Sequence, residues 1–367
     1  MKVVIGGGGT AGHVYPALAV ARTLAERFDA DITFVGTERG LEATLVPMEG
    51  FGFTAVEARP FVRRVSPAAL RAPLSVLRSV KRCRALVQDA DVVLGMGGYA
   101  SGPVVLAAIR AKRAVVLHEQ NAVPGLANRM FGRFAKAVAL SFGEATRHFP
   151  RRARVVVTGN PVREAITRVP EERDAFAKEA LRDLDLEEGR HTIVVFGGSQ
   201  GALHIDRALV GVCALLRDRD DLQVVALTGR AHFDRIAGSL PSDGSLLVRA
   251  FPFFERMELA YALADLVVSR AGATTVAEVT VCGVPSLLIP YPYATAGHQE
   301  ANARAVQRAG AASVLLDDQL TAEVLADRIL SLVDHQERLQ SMAGRAAAFG
   351  RPDAAARVAE LVAEHAR

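Results

Sequence analysis

The segment KVVIGGGGTAGH, residues 2–13, places a short β-branched run directly before a cluster of glycines and the start of a helical pattern. The same order returns in the second half of the chain as TIVVFGGSQG, residues 192–201. Glycines let the backbone approach a ligand closely, and the N–H groups at a helix start favour an anion or a polar sugar. Each half of the chain therefore carries one strand, loop and helix unit suited to binding a nucleotide.

Further short apolar runs end in turn residues and are separated by helical stretches. We predict strands at 32–35, 92–94, 115–117 and 155–157, and at 223–227, 246–248, 266–268 and 286–289. Strands that alternate with helices indicate parallel sheets, so we expect an α/β protein of two Rossmann-like, doubly wound domains separated by a cleft. In such sheets ligands bind beyond the carboxyl ends of the strands, where the glycine clusters lie.

A chain of 367 residues has ample length for two domains. Pro161 biases the residue before it toward extended backbone, so we place the hinge at Gly159-Asn160-Pro161. We expect domains at 1–160 and 161–343. The Ala-rich tail, 344–367, has a helical pattern with no strand after it and is predicted to pack back on the first domain.

The net charge of +4 conceals two halves of opposite sign. Up to Asn160 there are 22 basic and 11 acidic residues, and after it 22 basic and 29 acidic. Eight of the basic residues and no acidic one fall between residues 58 and 88. Arg71, Arg78 and Arg82 there share one helical face, which predicts a surface attracted to anionic lipid, each basic residue contributing about 1 kcal/mol. A solvated face over a leucine core is the alternative.

The composition and the spacing of residues disfavour several structural and functional classes of protein. Pro67 and Pro73 argue against one long helix in the basic segment. Three dispersed cysteines without CxxC spacing argue against disulfides and a cysteine zinc site. No DxD pair or His/Asp cluster with metal-ligand spacing stands out, so the sequence does not call for a catalytic metal. The chain has no Trp, 6% aromatic residues and no stacking platform for nucleic acid. No apolar stretch is long enough for a signal peptide or a spanning helix, so we expect a folded cytoplasmic protein.

Two features of the first half are suited to catalysis. His13 ends the first glycine loop, and an imidazole with a reference pKa near 6.5 can act as a general base, although a capping histidine in a tight turn is the structural alternative. The run HEQN, 118–121, leaves a strand as four consecutive polar residues, as functional loops on rigid sheets do. The glycines at 7, 9 and 12 followed by Glu38 also match the GxGxxG fingerprint of an NAD-dependent oxidoreductase.

In the second half, Ser199 could cap its helix or donate to a phosphate, but the loop lacks the GK[ST] of a P-loop. Glu278 lies one turn into the helix after a third glycine turn, where a carboxylate could accept two hydroxyl hydrogen bonds from a ribose. Gln299 and Asn302 share a helix face and suit a polyhydroxyl ligand. Each motif alone is also explained by an ordinary polar helix start.

Six motifs, in order along the chain, together resemble the bacterial N-acetylglucosaminyltransferases of glycosyltransferase family 28. They are GGTAGHVYPA (8–17), GMGGYASGP (95–103), HEQN (118–121), GNPVR (159–163), FGGSQGA (196–202) and HQEANA (298–303). The resemblance implies a GT-B fold and transfer of GlcNAc from UDP-GlcNAc, with inversion, to the C4 hydroxyl of MurNAc in undecaprenyl-pyrophosphoryl-MurNAc-pentapeptide. That reaction converts lipid I to lipid II, the last cytoplasmic step of peptidoglycan precursor synthesis, which serves cell shape and division.

The resemblance also implies partners and residue roles. UDP-GlcNAc is the donor substrate, no cofactor is required, and the protein associates peripherally with the cytoplasmic face of the plasma membrane around Arg63–Arg84. His13 is the favoured base, with His118 and Glu119 as the other catalytic candidates. The acceptor residues are Thr10, His13, Tyr99, His118, Glu119 and Asn121. The donor residues are Thr10, Ala11, Gly12, Asn121, Arg163, Ser199, Gln200, Gly201, Phe254, Arg270, Ala273, Thr274, Glu278, His298, Gln299 and Asn302.

Two departures from the family pattern concern the second half. The run FPFF, 251–254, is more apolar than expected before the uracil site, and the segment from Pro290 to Asn302 is slightly longer. The alternatives within the fold are a UDP-GlcNAc 2-epimerase and a lipid glucosyltransferase. Outside it they are the NAD-dependent oxidoreductase and a non-catalytic nucleotide-binding module.

Overall fold

The computed structural model describes residues 1–57, 67–198, 201–241 and 243–366, and residues 67–77 by their backbone alone. Four residues to which the sequence assigns a role are affected. Arg63, Ser199 and Gln200 lie outside the described residues, as does the side chain of Arg71.

Thirteen strands occur in the described residues, in two sheets whose neighbouring strands are all parallel. The first sheet has the order β3-β2-β1-β4-β5-β6-β7 and the second β10-β9-β8-β11-β12-β13. The strands are β1 (Lys2–Gly6), β2 (Asp31–Gly36), β3 (Gly52–Ala55), β4 (Val92–Gly95), β5 (Ala114–Glu119), β6 (Ala137–Leu140), β7 (Val155–Val157), β8 (His191–Phe196), β9 (Leu222–Leu227), β10 (Leu247–Phe251), β11 (Leu266–Ser269), β12 (Ser286–Leu288) and β13 (Ala312–Val314).

Helices fill the connections between the strands. They are α1 (Ala11–Phe28), α2 (Glu42–Met48), α3 (Pro67–Asp89), α4 (Gly98–Arg110), α5 (Leu126–Phe131), α6 (Glu164–Thr167), α7 (Val169–Asp183), α8 (Leu203–Leu215), α9 (Phe233–Ala237), α10 (Met257–Leu263), α11 (Ala273–Val281), α12 (His298–Arg308), α13 (Ala322–Val333), α14 (Gln336–Phe349) and α15 (Ala354–Glu364). Short 3₁₀ turns cover Gly143–His148, Thr295–Gly297 and Asp317–Gln319.

The predicted α/β class with two doubly wound parallel sheets is confirmed. The strands predicted from apolar runs form because both faces of a parallel sheet are covered by helices, so Val3, Ile5, Val194 and Val268 are all buried. Three strands were not predicted, namely β3, β6 and β13. They are three or four residues long and at least half of each consists of the small or polar residues Gly, Ala, Ser and Thr, so they do not stand out as apolar runs.

The basic segment forms a longer helix than its prolines suggested. Helix α3 begins at Pro67, at the first helical position, where a missing N–H costs nothing. It continues through Pro73 to Asp89. The expectation that Pro73 interrupts the helix was therefore wrong.

The chain divides into two compact units, Met1–Arg163 with Pro352–Arg367, and Glu164–Arg351. Gly344, the predicted start of the tail, instead lies inside α14, which packs on α11 of the second unit. Helix α14 ends at Gly350 and Pro352 follows, a pattern typical of a helix stop. Helix α15 packs on α1, and Val358 and Val362 belong to the core of the first unit.

Candidate active site

Both sheets reverse their strand order beside their first strand, between β1 and β4 in one unit and between β8 and β11 in the other. Ligands of doubly wound proteins bind at this reversal, beyond the carboxyl ends of the strands. About half of the site residues indicated by the sequence belong to the loops that follow these four strands or to the first turns of the helices after them.

In the first unit the loops after β1 and β4 are in backbone contact. Gly98 has a φ of +73°, and a Cβ there would lie 2.8 Å from the carbonyl oxygen of Gly8. The ring of Tyr99 lies equally close to where Gly9 would carry a Cβ. Only glycine permits this approach, which brings the two loops of the strand reversal together.

A buried carboxylate that sequence reasoning missed holds the first glycine loop. Glu42, 1% exposed, accepts hydrogen bonds from the Gly9 N–H (2.9 Å) and from the backbone N–H and hydroxyl of Thr37 (both 2.8 Å). Burial alone would raise the pKa of Glu42, but these hydrogen bonds outweigh it and lower the pKa below its ordinary value. Glu38, the acid of the dinucleotide fingerprint, is exposed. The only signal for Glu42 is its place in the first turn of α2.

His13 lies at the start of α1, beside the loop after β4. Its Nδ1 is 2.8 Å from the Thr10 hydroxyl, and a Cβ at Gly97 would lie 3.5 Å from its Nε2. Thr10 is exposed at the N-cap position, yet its side chain contacts His13 and caps no backbone N–H of α1. Ala11 and Gly12, the first residues of α1, are partly buried.

His118, at the end of β5, is completely buried, and its Nε2 lies 3.1 Å from the carbonyl oxygen of Gly159. Burial lowers the pKa of His118 to about 4, with the charge of His13 acting in the same direction. The imidazole is therefore neutral at neutral pH and donates from Nε2 to Gly159. This contact fixes the strand end that carries the rest of the HEQN run.

Glu119 is also buried, and the loop that follows it wraps around its carboxylate. It accepts hydrogen bonds from the N–H groups of Asn121 and Gly125 (both 3.0 Å) and from the side-chain amide of Asn128 (2.9 Å). Burial raises its pKa above the ordinary range in spite of these donors. Glu119 therefore organises the segment 120–128, in which Asn121 is partly buried. At the end of the unit, the Arg163 guanidinium lies 5.3 Å from the centre of the Tyr15 ring on α1.

In the second unit the glycine loop after β8 leads into α8. Gly201 has a φ of +75°, a Cβ there would overlap the carbonyl oxygen of Thr228, and its N–H donates to Gly198 (2.9 Å). Asp206, in the first turn of α8, is 1% exposed, and burial raises its pKa to about 7. A charged carboxylate would oppose an anion at this helix start, so burial reduces that repulsion near neutral pH.

Arg270, directly after β11, is buried and bonded to the ends of neighbouring strands. Its Nη1 donates to the carbonyl oxygens of Ile289 and Pro290 (both 3.2 Å) and to Asp317. Its guanidinium also lies 5.5 Å from the centre of the Tyr291 ring. Asp317 in turn lies 2.9 Å from Nδ1 of His204 on α8.

The turn after β11 and the helices beside it are fastened by two more side chains from the donor set. Asn302, fully buried on α12, donates to the carbonyl oxygen of Ala271 (3.2 Å). Glu278 on α11 is 8% exposed and accepts a hydrogen bond from the Tyr261 hydroxyl (2.9 Å). Ala273 and Thr274, in the first turn of α11, are buried and partly buried.

The remaining donor candidates border this region. Gln299 accepts a hydrogen bond from the N–H of Tyr291 (2.9 Å). His298, at the start of α12, is partly buried, and burial lowers its pKa. Phe254 follows β10 with its ring centre 6.2 Å from that of Phe251. The structure thus links Arg270 and Gln299 through Tyr291, while Phe254 lies at the end of another strand.

No group of three or more His, Cys, Asp or Glu side chains in the described ranges is arranged to hold a metal ion. Among the same residues, no helix has the length and hydropathy needed to cross a membrane.

The class of protein follows from its similarity to known protein families. Residues 3–140 match the glycosyltransferase family 28 N-terminal domain and residues 192–358 match its C-terminal domain. With two parallel-sheet units of this order, the chain is a glycosyltransferase of the GT-B fold. It belongs to glycosyltransferase family 28.

Two similar proteins are matched over nearly their whole length. The UDP-N-acetylglucosamine--N-acetylmuramyl-(pentapeptide) pyrophosphoryl-undecaprenol N-acetylglucosamine transferase of Halothermothrix orenii is 42% identical, with 100% of both chains covered. The crystal structure of Acinetobacter baumannii MurG is 29% identical, with a TM-score of 0.80 and 99% of both chains covered.

Three of the alternative functions suggested by the sequence can be compared with these findings. A UDP-GlcNAc 2-epimerase from Neisseria meningitidis has a TM-score of 0.70 and covers 99% of this chain and 100% of its own, but at 14% identity it shares the fold alone. Family membership overturns the NAD-dependent oxidoreductase and the non-catalytic module. The positions of the two acids agree with this, because Glu38 is exposed while Glu42 is the residue that accepts from the N–H of Gly9.

Glu42→Gln should destabilise the first unit. Replacing the carboxylate weakens three hydrogen bonds, which we expect to lower the free energy of unfolding by about 1–3 kcal/mol at pH 7. Because folding lowers the pKa of Glu42, its stabilisation is present above the unfolded pKa of about 4.3 and is lost as pH falls through the folded pKa. The difference in free energy of unfolding between Glu42→Gln and wild type, measured by urea unfolding, should therefore shrink from pH 7 to pH 3. Glu38→Gln is the matched control, and equal losses in the two variants would contradict the assignment.

Proposed function

We propose that this protein transfers GlcNAc from UDP-GlcNAc to the C4 hydroxyl of MurNAc in undecaprenyl-pyrophosphoryl-MurNAc-pentapeptide, with inversion at the anomeric carbon. The observation that carries the proposal is the 42% identity over 100% of both chains to a transferase named for that donor and acceptor. Two separate glycine-loop sites, one in each unit, support it because the reaction needs a site for each of two substrates.

We assign the donor to the second unit. The starts of α8 and α11 both follow strands at the reversal, and their N–H groups would stabilise the charge that develops on the departing UDP. Ser199, Gln200 and Gly201 are proposed near the pyrophosphate, Glu278 near the ribose and Phe254 near the uracil. His298 and Gln299 are proposed near the GlcNAc, while Asn302 shapes the turn before Ala273 through Ala271. Thr10, Ala11, Gly12, Asn121 and Arg163 are first-unit residues that complete the proposed donor set.

We assign the acceptor to the first unit, with His13 as the base. His118 is completely buried and bonded to Gly159, and the Glu119 carboxylate is surrounded by donors from its own loop. His13 is only partly buried, and in the tautomer whose Nδ1–H donates to Thr10, Nε2 carries the lone pair that a base needs. Tyr99 and Asn121 are proposed to contact the acceptor.

The reaction is a single displacement. The acceptor hydroxyl oxygen bonds to the anomeric carbon of GlcNAc while the bond from that carbon to the UDP oxygen breaks. The electron pair leaves with UDP, and the hydroxyl proton moves to Nε2 of His13. The residues proposed here need no metal for these steps, so transfer is expected to persist in the presence of a chelator.

The proposal is tested by supplying UDP-[¹⁴C]GlcNAc with a short-chain lipid I analogue. We expect radiolabel in the lipid product and release of UDP only when the acceptor is present. Formation of UDP-ManNAc without acceptor would indicate a 2-epimerase instead. Preference for UDP-glucose with another lipid would indicate a glucosyltransferase.

His13→Ala should lower kcat by about 10²–10⁴, because proton removal from the attacking hydroxyl then falls to water. The KM for UDP-GlcNAc should change little, since His13 is assigned to the acceptor. Thr10→Val, which removes the partner of Nδ1, should lower kcat less and shift its pH profile. His335→Ala, an exposed histidine on the second unit, is the control. A near-normal kcat in His13→Ala would remove it from the role of base.

We further propose peripheral contact of the first unit with an anionic membrane, at the cytoplasmic face. Arg78, Lys81, Arg82 and Arg84 of α3 are exposed. Helix α4 packs against both α3 and α5, and α5 with the turn after it carries an apolar strip of Leu126, Met130 and Phe134, each half or more exposed. Exposed Arg129, Arg133 and Lys136 interleave this strip. An apolar face with flanking basic residues is typical of a surface that lies on anionic lipid.

Replacing Leu126, Met130 and Phe134 together by Ser should weaken binding to vesicles that contain phosphatidylglycerol, because the strip could no longer bury apolar area. Co-sedimentation should fall at least about tenfold, since each buried apolar side chain contributes about 1.5–3 kcal/mol. Leu215→Ser, which alters a comparably exposed apolar residue on α8, is the control. Unchanged sedimentation of the triple variant would contradict the membrane contact.

A further inference from the structure

The second unit contains an ion pair and hydrogen-bond network that joins four strand ends. His204 belongs to α8 after β8, Arg270 follows β11, and Asp317 lies in the 3₁₀ turn after β13. The carbonyl oxygens of Ile289 and Pro290, which accept from Arg270, follow β12. Asp317 is the member that touches both other side chains, with one carboxylate oxygen for each.

We propose that Asp317 is a positioning residue for the donor substrate, acting through Arg270 and the 289–291 segment on Gln299. The inference rests on the proposed function, in which Gln299 lies near the GlcNAc of the donor. Neither Asp317 nor its partner His204 was among the site residues indicated by the sequence.

A continuous series of contacts connects Asp317 to Gln299. The carboxylate accepts a hydrogen bond from Nη1 of Arg270. The same Nη1 donates to the carbonyl oxygens of Ile289 and Pro290 at 3.2 Å. The Arg270 guanidinium also lies beside the Tyr291 ring. The N–H of Tyr291 then donates to Oε1 of Gln299 at 2.9 Å. Gln299 is therefore oriented by a loop whose position depends on Arg270.

The charges in this region make Asp317 the partner that Arg270 depends on. Asp206 also lies near Arg270, but burial raises the pKa of Asp206 to about 7, so its carboxylate is partly neutral at neutral pH. Partial burial would also raise the pKa of Asp317, but the hydrogen bonds from His204 and Arg270 outweigh it and lower the pKa below the ordinary value. Asp317 thus stays charged, and the side chains of Arg270 and Asp317 are only 10% and 15% exposed, where an ion pair is poorly screened.

The test compares Asp317→Ala with Asp318→Ala, the exposed acidic neighbour in the same turn. We expect Asp317→Ala to raise the KM for UDP-GlcNAc roughly tenfold or more and to leave the KM for the lipid I analogue unchanged. Partial unfolding would instead lower kcat with the donor KM unchanged, because fewer molecules would be active. Asp318→Ala should match wild type.

Asp317→Asn gives a second, milder variant. An amide keeps an acceptor oxygen for Arg270 but removes the negative charge that pairs with the guanidinium, so we expect a several-fold rise in donor KM. Should Asp317→Ala fail to fold, Asp317→Asn decides, and a folded variant with the wild-type donor KM would overturn the proposal.

A double-mutant cycle with Gln299→Ala tests the route. If Asp317 acts through Gln299, the effect of Asp317→Ala on donor KM should be smaller in the Gln299→Ala background. If Asp317→Ala and Gln299→Ala each multiply the donor KM by the same factor alone and together, the proposed route is overturned. Failure of the proposed function would show separately as no transfer by the wild type. Calorimetric binding of UDP-GlcNAc would then still compare Asp317→Ala with Asp318→Ala, and equal affinities would overturn the positioning role.

Discussion

The close approach of two backbone loops at the carboxyl edge of the first sheet is the constraint on which the rest of that unit depends. Gly98 and Gly8 come so near that no side chain fits between them. This contact lets the start of α1 lie beside the loop after β4, and so puts His13 next to Gly97. The buried carboxylate of Glu42 holds the first loop through the N–H of Gly9 and joins it to Thr37, which follows β2. Packing and hydrogen bonding therefore fix the same geometry.

In the second unit the glycine loop after β8 comes close to Thr228, which follows β9. Burial acts to raise the pKa of two aspartates there, Asp206 and Asp317, but the outcome differs. Asp206 has its pKa raised by burial, which moderates negative charge at a helix start suited to a diphosphate. Asp317 has two strong donors and keeps a lowered pKa, so it balances Arg270. Burial prevails at Asp206, which is 1% exposed, whereas at the less buried Asp317 the hydrogen bonds from His204 and Arg270 outweigh it.

The sequence predicted the two sheets and the glycine loops because both signals are local. A strand buried on both faces is a continuous apolar run, and a glycine cluster marks its end. Glu42 and Asp317 could not be found in this way, since their partners Gly9 and Arg270 are 33 and 47 positions away in the chain. The resemblance indicated Gln299 within the motif HQEANA and implied a donor role for Arg270, but the turn containing Asp317 belongs to none of the six motifs. The boundary at Pro352 was missed because α14 and α15 have the same Ala-rich pattern.

The path of the chain has a consequence for how the first unit forms. Its last helix, α15, supplies core residues such as Val358 and Val362, and Arg27 on α1 pairs with Glu360 across 333 positions. The whole second unit therefore lies within the loop that must close before the first core is complete. The entropic cost of closing a loop grows only with the logarithm of its length, and a folded second unit shortens the flexible part. Folding of the second unit should thus favour docking of α15, and the first unit gains its full core last.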